Sequence, residues 1–200
     1  MTAATLVMPR RPSVERVPPI ASTRIAMIAL ITSELMLFAG LIGMYIVIRQ
    51  SHEVWPPVGQ PRLPLLVTTI NSFALFASVV PLTAALRAIR RDARRDAARA
   101  LGLTTGLGTV FLAVQGFEWT SLVHHGLTLG SSQYGAAFYV LIGCHAVHVL
   151  AAVTWLATVT LLAHRGRYRP DAHAGLEMCA IYWYFVAALW TVLFPLVYLY

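Results

Sequence analysis

Residues 134–163 read YGAAFYVLIGCHAVHVLAAVTWLATVTLLA, a run that contains no Lys, Arg, Asp or Glu. An α-helix needs about 20 predominantly apolar residues to cross the hydrocarbon core of a bilayer, which is about 30 Å thick. This run exceeds that length without interruption. It therefore predicts a membrane-spanning helix that carries two histidines, His145 and His148, inside its apolar segment.

Four more apolar stretches have comparable length, and short polar connectors separate them. They cover residues 25–48, 63–88, 100–123 and 176–200. Strands of a membrane β-barrel would be about ten residues long and alternate in polarity, whereas these stretches are longer and uniformly apolar. The sequence predicts an all-α membrane protein in which residues 25–200 form one bundle of five transmembrane helices. Residues 1–24 are expected to form a disordered basic arm.

Composition agrees with a membrane protein, because 58% of the residues are hydrophobic and only 12% are charged. Soluble domains usually contain about a quarter charged residues. The two cysteines, Cys144 and Cys179, fall at different depths of their predicted spans. They are therefore expected to be free thiols, since a disulfide requires Cα atoms about 4.4 to 6.8 Å apart.

The net charge of +7 comes from arginine, and its distribution predicts the orientation in the membrane. Of the 15 basic residues, only Arg49 and Arg62 fall on one side of the predicted bundle; the others lie in the arm and in the second and fourth connectors. The positive-inside rule then predicts a cytoplasmic N-terminus and an outer C-terminus. Aromatic residues are expected at the outer interface: Tyr45, Trp55, Trp119, Tyr134, Tyr198 and Tyr200.

The arginine-rich connector from Arg87 to Arg99 contains no aromatic residue on which a nucleic-acid base could stack. Its expected partner is a lipid headgroup, and no nucleic-acid partner is predicted. The sequence also lacks a phosphate-binding loop and a set of nucleophile and base deep in a span. We therefore expect the chain to have no catalytic site of its own.

Glu34 is the ionisable residue deepest in the first span, about 14 Å from its inner end by helical rise. Desolvation penalises the charged form of a carboxyl group at that depth, so Glu34 is expected to be neutral or paired. Two interpretations are open. Glu34 is either a proton-linked or partner-binding group, or a carboxyl that satisfies another helix.

His145 and His148 share a face of the fourth span at a depth near that of Glu34. A metal or haem site would need further histidines deep in other spans, and none is present. The sequence therefore predicts no metal site and favours a hydrogen bond between this histidine pair and Glu34.

Two more acidic residues stand near the ends of spans. Glu118 lies in the last turns of the third span, and it is either a functional intramembrane group or a solvated carboxylate facing headgroups. Glu177 lies in the first turn of the fifth span, where the helix dipole favours an anion. We expect Glu177 to cap that helix or to form an ion pair with Arg165 or Arg167.

The third span begins with a G-x-x-x-G spacing at Gly102 and Gly106, close to Gly108. Small residues at this spacing allow the backbones of two helices to approach closely. The spacing therefore predicts a close helix contact.

Several motifs occur together and in order from Arg24 to the end of the chain. These are Ser33-Glu34 with Phe38-Ala39-Gly40, Trp55-Pro56-Pro57, Gln115-x-x-Glu118-Trp119, Gly143-x-His145-x-x-His148, and Glu177 followed by Tyr182-Trp183-Tyr184-Phe185-Val186. This series resembles subunit III of the haem-copper terminal oxidases, in the short form that lacks the first two of seven helices.

The resemblance implies a non-catalytic subunit of cytochrome c oxidase in the aerobic respiratory chain of a prokaryotic cytoplasmic membrane. It implies contact with subunits I and II, binding of phospholipid and support of proton uptake, with haem and copper held by the partner catalytic subunit and none by this chain. Glu34 would be the carbodiimide-reactive carboxyl, and Arg24, Arg165 and Arg167 would contact lipid headgroups.

The last helix departs from the family pattern, because Tyr184 and Ala187 stand where a His and an Asp are usual. A subunit III-like accessory protein of a nitric oxide reductase is therefore a second interpretation. A proton-coupled transporter that uses Glu34 is a third.

Overall fold

The computed structural model describes residues 19–200, and this part of the chain is helical throughout apart from connectors and one isolated β-bridge. The helices are α1 Pro19–Gln50, α2 Leu65–Arg90, α3 Arg94–His124, α4 Gln133–His164 and α5 Ala174–Phe194, followed by a π-helix, Pro195–Leu199. All five α-helices are long and apolar enough to cross a membrane. The predicted all-α membrane fold is confirmed for the described residues; residues 1–18 of the predicted arm lie outside them.

Two helices begin earlier than the hydropathy of the sequence indicates. The first starts at Pro19 and not at Ile25, with a proline at its first position, where the missing N–H would have no helical partner. The third starts at Arg94 and not at Ala100, because helical backbone hydrogen bonding includes the charged residues that precede the apolar stretch. The connector before α3 is therefore short, and Asp92 takes a positive φ of 55° within it.

Helices α2, α3, α4 and α5 pack around two large buried side chains of α5, Trp183 and Trp190. Each indole N–H donates to a serine hydroxyl of α2: Trp183 to Ser78 Oγ at 2.9 Å and Trp190 to Ser72 Oγ at 2.8 Å. An indole N–H without a partner would be costly in an apolar interior. These two bonds therefore help to fix α5 against α2.

Helix α1 packs against α4 and α5, and it is the least buried of the five spans, with 11% of its most apolar window buried. Seven of its large apolar side chains are exposed. The bundle has two ends, each formed by helix termini and the connectors between them. The arginine-rich end contains the starts of α1, α3 and α5, and the opposite end contains the starts of α2 and α4.

The close contact predicted at Gly102 and Gly106 is absent: no described atom outside the local helix lies within 4 Å of where their Cβ atoms would be. Gly108 makes the close contact instead, because a Cβ there would lie 2.6 Å from Cη2 of Trp183. The motif was therefore wrongly interpreted. The glycine that allows close packing is the one that faces the largest side chain of α5.

The last span does not continue as an α-helix to the end of the chain. At Pro195 the helix changes to a π-helix, and Tyr200 N–H donates to the carbonyl of Pro195 at 3.0 Å. Proline has no N–H to donate to the preceding turn, so the regular hydrogen-bond ladder is interrupted there. Both cysteines are free, as predicted.

We expect Gly108→Ala to lower the free energy of unfolding by about 1 to 3 kcal/mol, because the added methyl overlaps the buried Trp183 ring. Gly102→Ala is the matched control on the same helix, and it should leave stability unchanged or slightly raised, since Ala favours helix over Gly. Denaturation of the purified protein in detergent measures both. Equal effects of the two substitutions would contradict the assigned packing.

Candidate functional site

Glu34 of α1 lies against His148 of α4 in the middle of the spans. Glu34 Oε2 and His148 Nε2 are 2.8 Å apart, and both side chains are mostly buried. Phe38, one turn after Glu34, covers the pair with its ring 5.1 Å from the His148 ring. The hydrogen bond predicted between Glu34 and the histidine pair is therefore present for His148.

The hydrogen bonds of His148 determine where protons can lie. His148 Nδ1 is 2.7 Å from the carbonyl oxygen of Cys144, and a carbonyl only accepts, so Nδ1 carries a hydrogen. The contact between His148 Nε2 and Glu34 then requires one further proton, held either by the carboxyl or by the ring. The pair is therefore a site for one shared proton, neutral overall in either arrangement.

His145 does not join this pair, although it lies only three residues before His148. Its ring is 1% exposed and stacks on Trp190, with centroids 5.2 Å apart and planes inclined by 19°. Neither of its ring nitrogens has a hydrogen-bond partner among the described residues. The two histidines thus face different neighbours: His148 faces α1, and His145 faces the aromatic core around α5.

No group of three or more His, Cys, Asp or Glu side chains is arranged to hold a metal ion within residues 19–200. Glu34 and His148 form a hydrogen-bonded pair in this part of the chain, and His145 is not part of it.

Glu118 is the centre of a second buried polar cluster, nearer the opposite end of the bundle. It is 4% exposed and accepts from Thr68 Oγ1 at 2.9 Å and from Gln115 Nε2 at 3.2 Å. Gln115 Nε2 also lies 3.3 Å from the hydroxyl of Tyr198 in the π-helix. The interpretation of Glu118 as a solvated, headgroup-facing carboxylate is therefore wrong, because its helix turns this side chain toward α2.

Sequence reasoning did not identify Thr68 as a member of this cluster. Gln115 could have been found, because it precedes Glu118 by three residues on one helix face. The sequence did not indicate Thr68, because a threonine in a helix can also donate its hydroxyl to a carbonyl of the preceding turn. Thr69 does this with the carbonyl of Leu65.

Glu177 joins three helices at the arginine-rich end. Its carboxylate lies 2.7 Å from Nη2 of Arg24 in α1 and 3.1 Å from Nη2 of Arg90 in α2, and His173 Nε2 is 3.2 Å away. The expected ion pair is present, but its partners are not Arg165 and Arg167. Those two arginines follow α4 and are exposed, whereas the start of α1 and the end of α2 lie beside the start of α5.

Arg24 thus forms an ion pair with Glu177, although its side chain remains 55% exposed. Arg165 and Arg167 are exposed on the same end. Contact of these three arginines with lipid headgroups stays a prediction.

The aromatic residues expected at the outer interface do not all lie on the surface. Trp55 packs edge-on against Tyr45 and Tyr134, which are both buried, at 5.9 Å and 4.9 Å. Arg49 lies over the rings of Trp55 and Tyr200 at 5.5 Å and 5.4 Å. This cluster holds the connector after α1 to the bundle, because aromatic pairs and a stacked guanidinium attract each other.

These contacts define a class of protein: a multi-pass helical membrane protein whose acidic groups inside the spans are paired between helices. The chain belongs to the cytochrome c oxidase subunit III family, since a model of that family matches residues 18–200. The predicted family is therefore confirmed. Members of this family are subunits of haem-copper oxidase complexes of the respiratory chain.

Curated relatives cover most of this chain. Cytochrome c oxidase subunit 3 of Thermostichus vulcanus is 33% identical over 176 residues, which are 88% of this chain and 86% of that protein. The protein of the same name from Synechocystis is 34% identical over 84% of this chain and 72% of its own length. The chicken (Gallus gallus) protein is 34% identical over 88% of this chain and 68% of its own length.

We expect His148→Ala to increase the labelling of Glu34 by a hydrophobic carbodiimide, because the shared proton then resides on the carboxyl alone. His145→Phe is the matched control, since it keeps a ring stacked on Trp190 and does not contact Glu34. Mass spectrometry of the labelled protein measures the modified fraction. Unchanged labelling in His148→Ala would contradict the shared-proton arrangement.

Thr68→Val should lower the free energy of unfolding by about 1 to 3 kcal/mol, because it removes a donor from the buried Glu118 carboxyl. Thr69→Val removes a hydroxyl that bonds only within its own helix turn, and its effect should be close to zero. Denaturation in detergent compares the two neighbours, and a larger loss at Thr69 would show that the cluster is not stabilising.

Proposed function

We propose that this chain is a non-catalytic subunit III of a respiratory haem-copper terminal oxidase in a prokaryotic cytoplasmic membrane. It packs against subunit I, and subunit II belongs to the same complex. Haem and copper reside in the catalytic partner. The observation that carries the proposal is the Glu34–His148 pair between α1 and α4, in a chain that matches the family over its described length.

The orientation follows from the arginines. The arginine-rich end faces the cytoplasm, because basic residues near the ends of spans are retained on that side. The C-terminus and the Trp55 cluster then face outward. Arg165 and Arg167, exposed at the arginine-rich end, contact the phosphates of cytoplasmic-leaflet lipids, and the remaining exposed part of Arg24 does the same.

Outward-facing apolar side chains of α1 supply a surface for subunit I. They include Ile25, Ile28, Leu35, Met36 and Val47, each more than half exposed. A helix with so little contact to its own chain gains stability from packing against a neighbouring helix. Glu34 lies close to this surface, since its side chain is 21% exposed.

The proton-linked role rests on the same pair. A carboxyl and an imidazole that share one proton hold it at either group without a change in the net charge of the pair. Glu34 and His148 therefore act as a local proton reservoir beside the catalytic subunit and support proton uptake there. Glu118 and His145 lie deeper in the bundle and hold its helices together.

Affinity purification of a tagged chain in mild detergent tests this function. We expect it to recover a haem-containing subunit with oxygen-reducing activity, whereas the chain separated from its partners shows no Soret absorbance. Recovery with a nitric oxide-reducing enzyme would favour the accessory-protein alternative. Recovery without any haem protein would favour a transporter.

A further inference from the structure

A cavity of about 280 Å³ lies at the end of the bundle opposite the arginine-rich end. The connector from α1 to the start of α2, the start of α4 and the π-helix enclose it. Its flat walls are aromatic rings, those of Trp55, Tyr134, Tyr198 and Tyr200. These residues are far apart in sequence, so the packing of the helices forms the cavity and no single loop does.

The aromatic walls are held in place by contacts of their own. The Trp55 ring packs edge-on against Tyr134 with centroids 4.9 Å apart, and Tyr198 stacks on Phe194 at 5.5 Å. Tyr198 also accepts a hydrogen bond from Gln115 Nε2 at 3.3 Å. A ligand therefore meets a preformed surface, which lowers the entropic cost of binding.

Two side chains of the lining can donate hydrogen bonds but have no acceptor in the described part of the chain. Tyr134 is 2% exposed, and its hydroxyl makes no hydrogen bond with any described residue. Arg62 is exposed and forms no ion pair within residues 19–200. Buried polar groups in proteins are nearly always hydrogen-bonded, so the Tyr134 hydroxyl indicates a partner that residues 19–200 do not supply.

Arg62 is the only Arg, Lys, Asp or Glu among the residues that line the cavity. Arg49, the other arginine at this end, is already engaged: it donates to the carbonyl of Tyr200 and lies over the rings of Trp55 and Tyr200. A ligand of the cavity therefore needs an acceptor oxygen. A negatively charged oxygen gains most, because hydrogen bonds between ionised groups are the stronger ones.

We propose that this cavity binds a small organic acid with a flat apolar body, of the aryl carboxylate class. The carboxylate accepts from the Arg62 guanidinium and the Tyr134 hydroxyl, which are the two donors without a partner. The apolar body lies against the rings of Trp55 and Tyr198. This site is separate from the Glu34–His148 pair and from the outward face of α1, so it does not depend on the proposed function.

The size and position of the cavity favour a small molecule over a lipid or a protein segment. Its volume lies near the lower end of the range of small-molecule sites, which is about 300 to 1,000 Å³. An acyl chain would need a groove that continues along a span, but every lining residue belongs to the connector or lies at the end of a helix. The ligand thus enters from the end of the bundle.

Photolabelling of the purified complex in nanodiscs tests the proposal. The probe is a benzoate that carries a photoreactive trifluoromethyl diazirine, and the corresponding benzamide is its uncharged control. We expect the benzoate to label residues 55–65 or 197–200 about tenfold more than the benzamide does, because only the carboxylate pairs with Arg62. Mass spectrometry of the digested protein locates and quantifies the label.

Two variants assign the donors. Arg62→Gln should remove the preference for the benzoate, and Tyr134→Phe should lower labelling by the benzoate about threefold. Arg91→Gln and Tyr139→Phe are the matched controls and should label as the wild type does. Arg91 is exposed at the arginine-rich end, and the Tyr139 hydroxyl donates to the carbonyl of Leu127 outside the cavity.

Competition in the wild-type complex needs no variant and identifies the kind of ligand. 4-Phenylbutyrate should displace the probe, whereas 4-phenylbutanol should not. Equal labelling by benzoate and benzamide, label confined to other parts of the chain, or an unchanged preference in Arg62→Gln would each overturn the proposal. Stronger displacement by phosphatidylglycerol, or by an acetylated dipeptide of phenylalanine and glutamate, would overturn it in favour of a lipid or a partner protein.

The same preparations distinguish this site from the proposed function. Recovery of the haem-containing subunit reports on membership of the oxidase complex, and the label reports on the cavity. Full recovery of that subunit without specific labelling would overturn the site and leave the proposed function intact.

Discussion

A polar group inside the hydrocarbon core of a membrane has no water to bond with, so a hydrogen bond to another part of the protein stabilises it strongly. This constraint accounts for the main contacts between helices. Glu34 meets His148, Glu118 meets Thr68 and Gln115, and both core tryptophans donate to serines of α2. Apart from the bond between Gln115 and Glu118 within α3, each contact joins residues far apart in sequence and therefore fixes one helix relative to another.

The departure from the family pattern in α5 is resolved in the same way. Tyr184 places its hydroxyl 2.9 Å from Oγ1 of Thr83 in α2, and Ala187 is buried among apolar residues. A tyrosine with a partner on α2 and a small buried residue leave no unpaired polar group at these two positions. Tyr184 thus joins α5 to α2 in this chain.

The fold could be predicted from the sequence because an apolar run of sufficient length permits few structures in a membrane. Depth was also predictable, since helical rise placed Glu34 and His148 at one level. The direction in which each side chain points around its helix axis could not be predicted. His145 and His148 share a depth but face different neighbours, and Gly108 rather than Gly102 and Gly106 meets another helix. Hydropathy is uniform around these helices, so it carries little information on which side faces inward.

The ion pair of Glu177 could not be predicted from the sequence either. Its partners depend on which helix ends are adjacent, and Arg24 and Arg90 are distant from it in sequence.

Helix α1 touches the rest of the chain least, yet polar contacts hold it at three levels. Arg24 binds Glu177 near one end, Glu34 binds His148 in the middle, and Arg49 donates to the carbonyl of Tyr200 near the other end. A piston-like shift or a rotation of α1 would break all three together. Its outward face is therefore held at one height and one angle along the bundle, even though little of this chain covers it.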